Sequence, residues 1–216
     1  MLDMFLEARL CDISGFYFCP DCHQNDLSVS PARIVNNWDF QPVKVSKKLF
    51  HHVDESKGLP YIDLEKRNPV IFNFVTELQK VKSLREELFI TKEFIMTCKM
   101  ETKHSLLKMI WPREHLVNCT DLYSLEDLLE VQQETLSKLL HNISIAYKRH
   151  ILTQCELCVL KGSYCEFCKS DEIIYPFDFS KTIRCMQCNS LSHRRCYKGP
   201  SSCPKCMRMR TRQAHQ

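Results

Sequence analysis

Residues 155–206 read CELCVLKGSYCEFCKSDEIIYPFDFSKTIRCMQCNSLSHRRCYKGPSSCPKC, and this stretch decides the fold. Cys-x-x-Cys pairs stand at Cys155/Cys158, Cys165/Cys168, Cys185/Cys188 and Cys203/Cys206, with a His-x-x-Cys pair, His193/Cys196, between the last two. Two intervening residues let a chain turn back and offer two thiolates to one tetrahedral zinc. One such pair could be chance or a redox site. Five pairs, with ten candidate ligands, in about fifty residues form a metal-binding pattern.

From Cys165 onward the pairs alternate in a way that suits an interleaved cross-brace. Site one is then Cys165, Cys168, His193 and Cys196, and site two is Cys185, Cys188, Cys203 and Cys206. Sequential pairing of neighbouring pairs is the alternative. A tetrahedral shell filled by Cys and His leaves no position for a substrate water, so such zincs are structural and not catalytic. The run Ile173–Phe179, IIYPFDF, is expected to supply a short strand and aromatic packing between the pairs.

Cys155 and Cys158 still need two ligands. The other clustered candidates surround FYFCPDCH near the amino end: Cys11, Cys19, Cys22 and His23. A third zinc is therefore expected on Cys155, Cys158, Cys11 and His23, tying the two ends of the chain around its middle. Cys19 and Cys22 form a possible knuckle without first-half ligands. A redox role for that pair lacks the βαβ context it would need. Cys98 and Cys119 read as buried small hydrophobes.

Composition narrows the class. The 216 residues include only four glycines, which argues against phosphate-cradling Gly loops. Fourteen cysteines in a chain this long do not resemble a small secreted disulfide scaffold, and MLDMFLEARL at residues 1–10 has acids inside its apolar run, unlike a signal peptide. No stretch approaches the ~18 apolar residues of a membrane span. The expectation is a reduced, cytoplasmic protein. Nine Lys/Arg and no acid occur from Phe179 onward; removing that +9 from the chain's net +4 leaves −5 in the rest. A basic end suggests an acidic partner such as a phosphoinositide headgroup, with Lys181, Arg184, Arg194, Arg195 and Lys198 as contacts. Arg208, Arg210 and Arg212 read as solvated tail.

Between the cysteine clusters the pattern is helical. Residues 28–58 look irregular, punctuated by Pro31, Pro42 and Gly58, with Trp38-Asp39-Phe40 as a core plug whose Asp caps local backbone. From Asn68, the positions Ile71, Phe74, Val75, Leu78, Val81, Leu84/Arg85, Leu88 and Phe89 recur at helical spacing, and the helix is expected to run toward Cys98. A shorter piece, Leu106 to Trp111, should stop at Pro112. Ser124-Leu125-Glu126-Asp127 opens a second long helix carrying Leu125, Leu128, Leu129, Leu136, Leu139, Leu140, Ile143, Tyr147 and Ile151. Lys148, Arg149 and His150 would sit in its last turn as cations suited to the dipole.

Among cross-brace families the fit is uneven. The ligand order resembles a plant-homeodomain finger, but Ser201 stands where an aromatic is expected. A RING ligase would place its His as the fourth ligand. Ser192-His193-Arg194-Arg195-Cys196 partly resembles a FYVE headgroup motif, without the leading WxxD. Taken over its whole length, the chain resembles the Rubicon-homology domain. The matching stretches are FYFCPDCH at 16–23, PARIVNNWDF at 31–40, LYSLEDLL at 122–129 and CELCVLKGSYCEFC at 155–168, then the series through Cys206.

The resemblance implies a non-enzymatic, zinc-containing adaptor that binds a GTP-loaded late-endosomal Rab GTPase. It also implies roles in lysosome positioning and in endosome and autophagosome maturation. Peripheral recruitment to those membranes and to other trafficking adaptors follows, with no nucleic acid expected. Relatives of this kind begin with a Cys-x-x-Cys upstream of the residue matching Cys11; its absence leads us to expect a fragment or truncated product. The expected fold is mainly α with small zinc-stabilised β/loop modules, organised as one integrated domain. A partial zinc knuckle and WDF loop (1–58) precede a helical layer (59–153), a multi-zinc cross-brace module (154–210) and a tail (211–216).

Overall fold

The long helices follow from period. In α5 (Thr76–Met96), Leu78, Val81, Arg85, Leu88, Thr91 and Ile95 are buried, three or four residues apart, on one stripe. In α9 (Thr135–Arg149), Leu136, Leu140, Ile143, Ser144 and Tyr147 form the matching stripe. A computed structural model describes residues 7–214 of the chain. Most of the apolar run at residues 1–10 and the end of the tail at 215–216 lie outside the described residues.

The chain forms two compact units, each made of separated stretches: residues 1–83 with 113–140, and residues 84–112 with 141–216. The sequence, by contrast, divides it into consecutive blocks. Helices α5 and α9 each contribute their first turns to the first unit and their last turns to the second.

In the first unit, three two-stranded antiparallel ladders pair β1 (Arg9–Leu10) with β2 (Tyr17–Phe18), β3 (Asp26–Ser28) with β4 (Val43–Val45), and β5 (Ile62–Asp63) with β6 (Leu122–Tyr123). Residues 28–58 are not irregular, contrary to expectation. Ser30 accepts a hydrogen bond from Arg33 N and Pro31 occupies the first turn of α1 (Pro31–Asn37). After β4, α2 (Lys47–Ser56) begins at Ser46. Trp38 ends α1 in the left-handed conformation at φ 56°. It meets Phe40 edge-on at 4.9 Å, and both are only half-buried, so they are no core plug. Asp39 does serve local backbone, accepting from Gln41 N at 2.9 Å.

The helix expected from Asn68 is broken. Short helices α3 (Leu64–Arg67) and α4 (Ile71–Phe74) precede α5, separated from it by Val75 in an extended conformation. The break turns Phe74 outward, 80% exposed, and Phe89 likewise leaves the buried stripe. After α6 (Thr102–Lys108) and α7 (His115–Asn118), the second helical region is also divided. Its first part, α8 (Leu125–Gln132), starts in a full capping box. Glu134 at φ 58° separates it from α9.

The second unit carries a π-helical turn at His150–Gln154, a short α10 (Glu156–Val159), and hairpins β7 (Ser163–Tyr164)/β8 (Ile173–Ile174) and β9 (Thr182–Arg184)/β10 (Leu191–His193). The 173–179 run supplies β8 and then an aromatic cluster. Tyr175 and Phe177 stack at 5.2 Å, and Phe94 meets Phe177 edge-on at 5.6 Å. The expected tail is instead helix α11 (Pro204–Ala214), started by Pro204 directly after Cys203 and built from good helix formers.

Candidate metal centres

Three groups of four Cys/His ligand atoms converge in the second unit, each with all its atoms within 4.8 Å of one another. They are Cys165/Cys168/His193/Cys196, Cys185/Cys188/Cys203/Cys206, and Cys98/His150/Cys155/Cys158. A tetrahedral zinc with Zn–S of about 2.3 Å and Zn–N of about 2.0 Å would hold its sulfurs about 3.8 Å apart and a sulfur and nitrogen about 3.6 Å apart.

The first group interleaves the 165/168 pair with the 193/196 pair. His193 Nδ1 lies 3.4 Å from Cys168 Sγ and 4.0 Å from Cys196 Sγ. Its other ring nitrogen has Glu172 Oε2 at 3.2 Å, outside hydrogen-bond geometry. Burial pushes the Cys165 thiol up, but backbone N–H groups of Cys168, His193 and Phe167 outweigh it and hold the thiol below its ordinary value. His193 N reaches Cys165 Sγ at 3.5 Å. The second group also interleaves: Cys185 and Cys206 are 3.6 Å apart, as are Cys188 and Cys203. Phe167 and Tyr197 pack against it.

The third group departs from expectation. Cys155 and Cys158 meet Cys98 and His150, not Cys11 and His23. Cys98 Sγ is 3.8 Å from Cys155 Sγ and 3.3 Å from His150 Nε2, and Cys158 Sγ is 3.6 Å from that nitrogen. All four residues are buried. Cys98 follows the last turn of α5, one turn beyond Ile95 on the buried stripe. His150 continues the stripe of α9 past Tyr147, and the π turn carries the chain from it to Cys155, whose N–H bonds His150 O at 3.1 Å. His150 is therefore no solvated cation at a helix end. Burial, helped by nearby Lys161, pushes its pKa down and favours the neutral, ligating imidazole. Position on the stripe was the overlooked signal: a His at a core position five residues before a Cys-x-x-Cys.

In the first unit, Cys11, Cys19, Cys22 and His23 join no such group among the described residues. Cys11 is fully buried beside Val43 and Val45 and accepts from Ser46 N at 3.4 Å. Burial raises its pKa, yet hydrogen bonds from Ser14, Ser46 and Ile13 bring it down to about 7. His23 is fully buried, and its Nδ1 accepts from Asn25 N at 3.2 Å. Cys19 and Cys22 are exposed; the Cys22 N–H holds the Cys19 thiol below its ordinary value, and Cys19 holds the Cys22 thiol above its own. Cys119 is half-buried.

The five cations expected to meet an anion do not converge. Lys181, Arg194 and Arg195 line a cavity of about 570 Å³ with Glu172 and His193, while Arg184 lines a separate one of about 330 Å³ with Glu166 and Lys205. Lys198 lines neither. Arg194 spends its guanidinium on Phe179 O at 2.7 Å and Thr182 O at 3.3 Å. Among the described residues no helix is long and apolar enough to cross a membrane.

Comparison with known proteins finds relatives along nearly the whole chain. The chain is 39% identical over 210 residues to "Differentially expressed in FDCP 8 homolog" of Drosophila melanogaster, covering 96% of this chain and 42% of the relative. It is 35% identical over 202 residues to human "Pleckstrin homology domain-containing family M member 3", covering 94% of this chain and 26% of that protein. It is 34% identical over 213 residues to the FDCP 8 homolog of Caenorhabditis elegans, covering 95% of this chain and 44% of the relative. The chain thus spans less than half the length of these relatives. The Rubicon Homology Domain matches residues 9–211, from β1 through the last of the three clusters into α11, and the chain belongs to that family.

Proposed function

We propose that this chain is a non-enzymatic, zinc-stapled adaptor module that binds a GTP-loaded Rab GTPase of late endosomes and lysosomes. Its output would be lysosome positioning and endosome or autophagosome maturation. The observation that carries the reading is the family match across residues 9–211. The ligand chemistry agrees with it. Soft thiolates and imidazoles in closed sets of four suit structural zinc, and such sets offer no open coordination position for a substrate water. Each ion would stabilise its segment by about 10–16 kcal/mol of apparent binding energy, which substitutes for the apolar core that short hairpins lack.

We place the protein contact in the first unit, at a groove of about 790 Å³ lined by Val35, Leu49, Val53, Leu59, Tyr61 and Ile62. Leu59 and Tyr61 are 59% and 46% exposed there, and exposed apolar side chains beside a concavity suit a protein partner. The test is capture of the chain by Rab GTPases loaded with a non-hydrolysable GTP analogue or with GDP. Binding restricted to the GTP form, weakened about thirtyfold by Leu59→Asp with Tyr61→Asp, is the expected result. Equal capture by both nucleotide states would overturn the adaptor reading.

Headgroup binding by Lys181, Arg184, Arg194, Arg195 and Lys198 is less well supported, because Arg194 is engaged by backbone carbonyls and Arg184 faces another cavity.

A further inference from the structure

Helix α11 is unusual for a helix of eleven residues. It is held at its start by Cys203 and Cys206, both buried in the second cluster, but every side chain from Met207 to Gln213 is exposed. A helix exposed on all sides has no core of its own to stabilise it, and one this short is marginal alone. Its composition is one-sided as well. Lys205, Arg208, Arg210 and Arg212 are its charges, with no acid, and only Arg208 has a carboxylate partner among the described residues, Glu166 at 2.8 Å. Met207 and Met209, each 46% exposed, add apolar area.

The helix adjoins a second exposed apolar group. Met186 sits between the ligand positions Cys185 and Cys188 and is 88% exposed, more than any other large apolar side chain described. Arg210 Nη2 holds the neighbouring Gln187 Oε1 at 3.1 Å and Pro200 O at 3.2 Å, which fixes the knuckle tip and α11 as parts of one surface. Two buried thiols behind that tip, Cys185 and Cys206, stand 3.6 Å apart. An apolar tip backed by a closed ligand cluster, beside a helix whose Lys205 and Arg212 have no carboxylate partner among the described residues, is suited to a surface that is anionic at its face and apolar just beneath.

We propose that Met186 and helix α11 form a docking site for the surface of an anionic lipid bilayer. Met186 and Met209 would enter the headgroup region while Lys205 and Arg212, four residues before and three after Met209 on the same helix face, meet the lipid phosphates and carboxylates. Charge complementarity selects this occupant: nine cations and no acid lie between Phe179 and the carboxy end. Single-stranded nucleic acid shares the charge requirement but is gripped by exposed aromatic platforms, and the exposed apolar groups here are methionines. This site differs from the cavity around Lys181, Arg194 and Arg195, and it does not rest on the GTPase reading.

The test is flotation of the full chain with phosphatidylcholine vesicles, with and without phosphatidylserine. The expected result is binding to the anionic vesicles only, weakened by added salt. Lys205→Glu with Arg212→Glu should lower it at least about tenfold, since each cation near such a surface contributes about fivefold. Met186→Asp should lower it too. Native mass spectrometry should return the same metal count for all variants, which separates lost contact from lost folding. GTPase capture should be unaffected. Flotation unchanged in these variants, or lost only on reversal of Lys181 and Arg195, overturns the proposal. Capture on a single-stranded oligonucleotide without flotation overturns it equally.

Discussion

At the scale of single residues, the third cluster turns on His150 and Cys98. Both stand on core stripes of long helices, where an unpaired polar or thiol group buried without a partner would be costly. Bringing them to Cys155 and Cys158 satisfies all four groups at once if they share a metal. We therefore expect native mass spectrometry to find three zinc ions in the chain and two in Cys98→Ser or His150→Ala. Cys11→Ser and His23→Ala should keep three, because neither side chain joins a group of four ligand atoms among the described residues. A full complement in Cys98→Ser would exclude it as a ligand. Gly162 makes a different demand. A Cβ there would stand 2.1 Å from Ile173 Cγ2 and 3.1 Å from the Tyr175 ring. Gly162→Ala should cost about 1–3 kcal/mol through overpacking of the β7–β8 hairpin, read from the denaturation midpoint.

At the scale of elements, the best-determined start is that of α8. Ser124 Oγ accepts from Asp127 N at 3.0 Å while Asp127 Oδ2 accepts from Ser124 N at 2.8 Å, a reciprocal box legible in the sequence. The sequence did not reveal that Asp127 is fully buried. There its carboxylate also meets His115 Nε2 at 2.7 Å and Arg113 Nη1 at 3.4 Å. Burial pushes its pKa up, but the hydrogen bonds from His115 and Ser124 outweigh that and hold it below the ordinary carboxylate value. A lowered folded pKa means the unfolded chain takes up the proton first. The stability Asp127 contributes is thus complete above about pH 4 and is lost as pH falls through the folded value. Asp127→Ala should cost about 3 kcal/mol near neutrality by removing the capping box and the buried carboxylate that faces His115 and Arg113, and the deficit should shrink on acidification below pH 4. Urea melts across that range would show it; a deficit independent of pH would contradict the assignment.

At the scale of the whole molecule, both units bury apolar side chains, but the candidate ligand clusters are concentrated in one of them. The first unit carries a run of fully buried aliphatics, among them Ile34, Leu64, Leu78, Leu116, Leu128 and Leu136. The second gathers all three ligand clusters, two of them beside hairpins of two or three residues per strand. Chelation should therefore act selectively. With a strong zinc chelator, hydrogen exchange is expected to accelerate across residues 155–206 well before it does across α1, α8 and the β3–β4 ladder. Uniform acceleration in both units would argue that their folding is a single cooperative step.

Residues 155–206 by themselves pointed to the two interleaved groupings whose side-chain atoms the structure brings within 4.8 Å, because ligand type and a two-residue spacing are local properties that a tetrahedral ion constrains directly. The helical stripes and the cap at Ser124 were equally local, set by period and by a hydrogen bond spanning three residues. The partners of Cys155 and Cys158 were not legible. Cys98 lies more than fifty residues upstream of them, and only the burial of the α5 and α9 stripes brings it to them. The same holds for the break at Val75, the helices within 28–58 and the exposed course of α11. Each depends on which side chains find a core, and that is decided by tertiary packing.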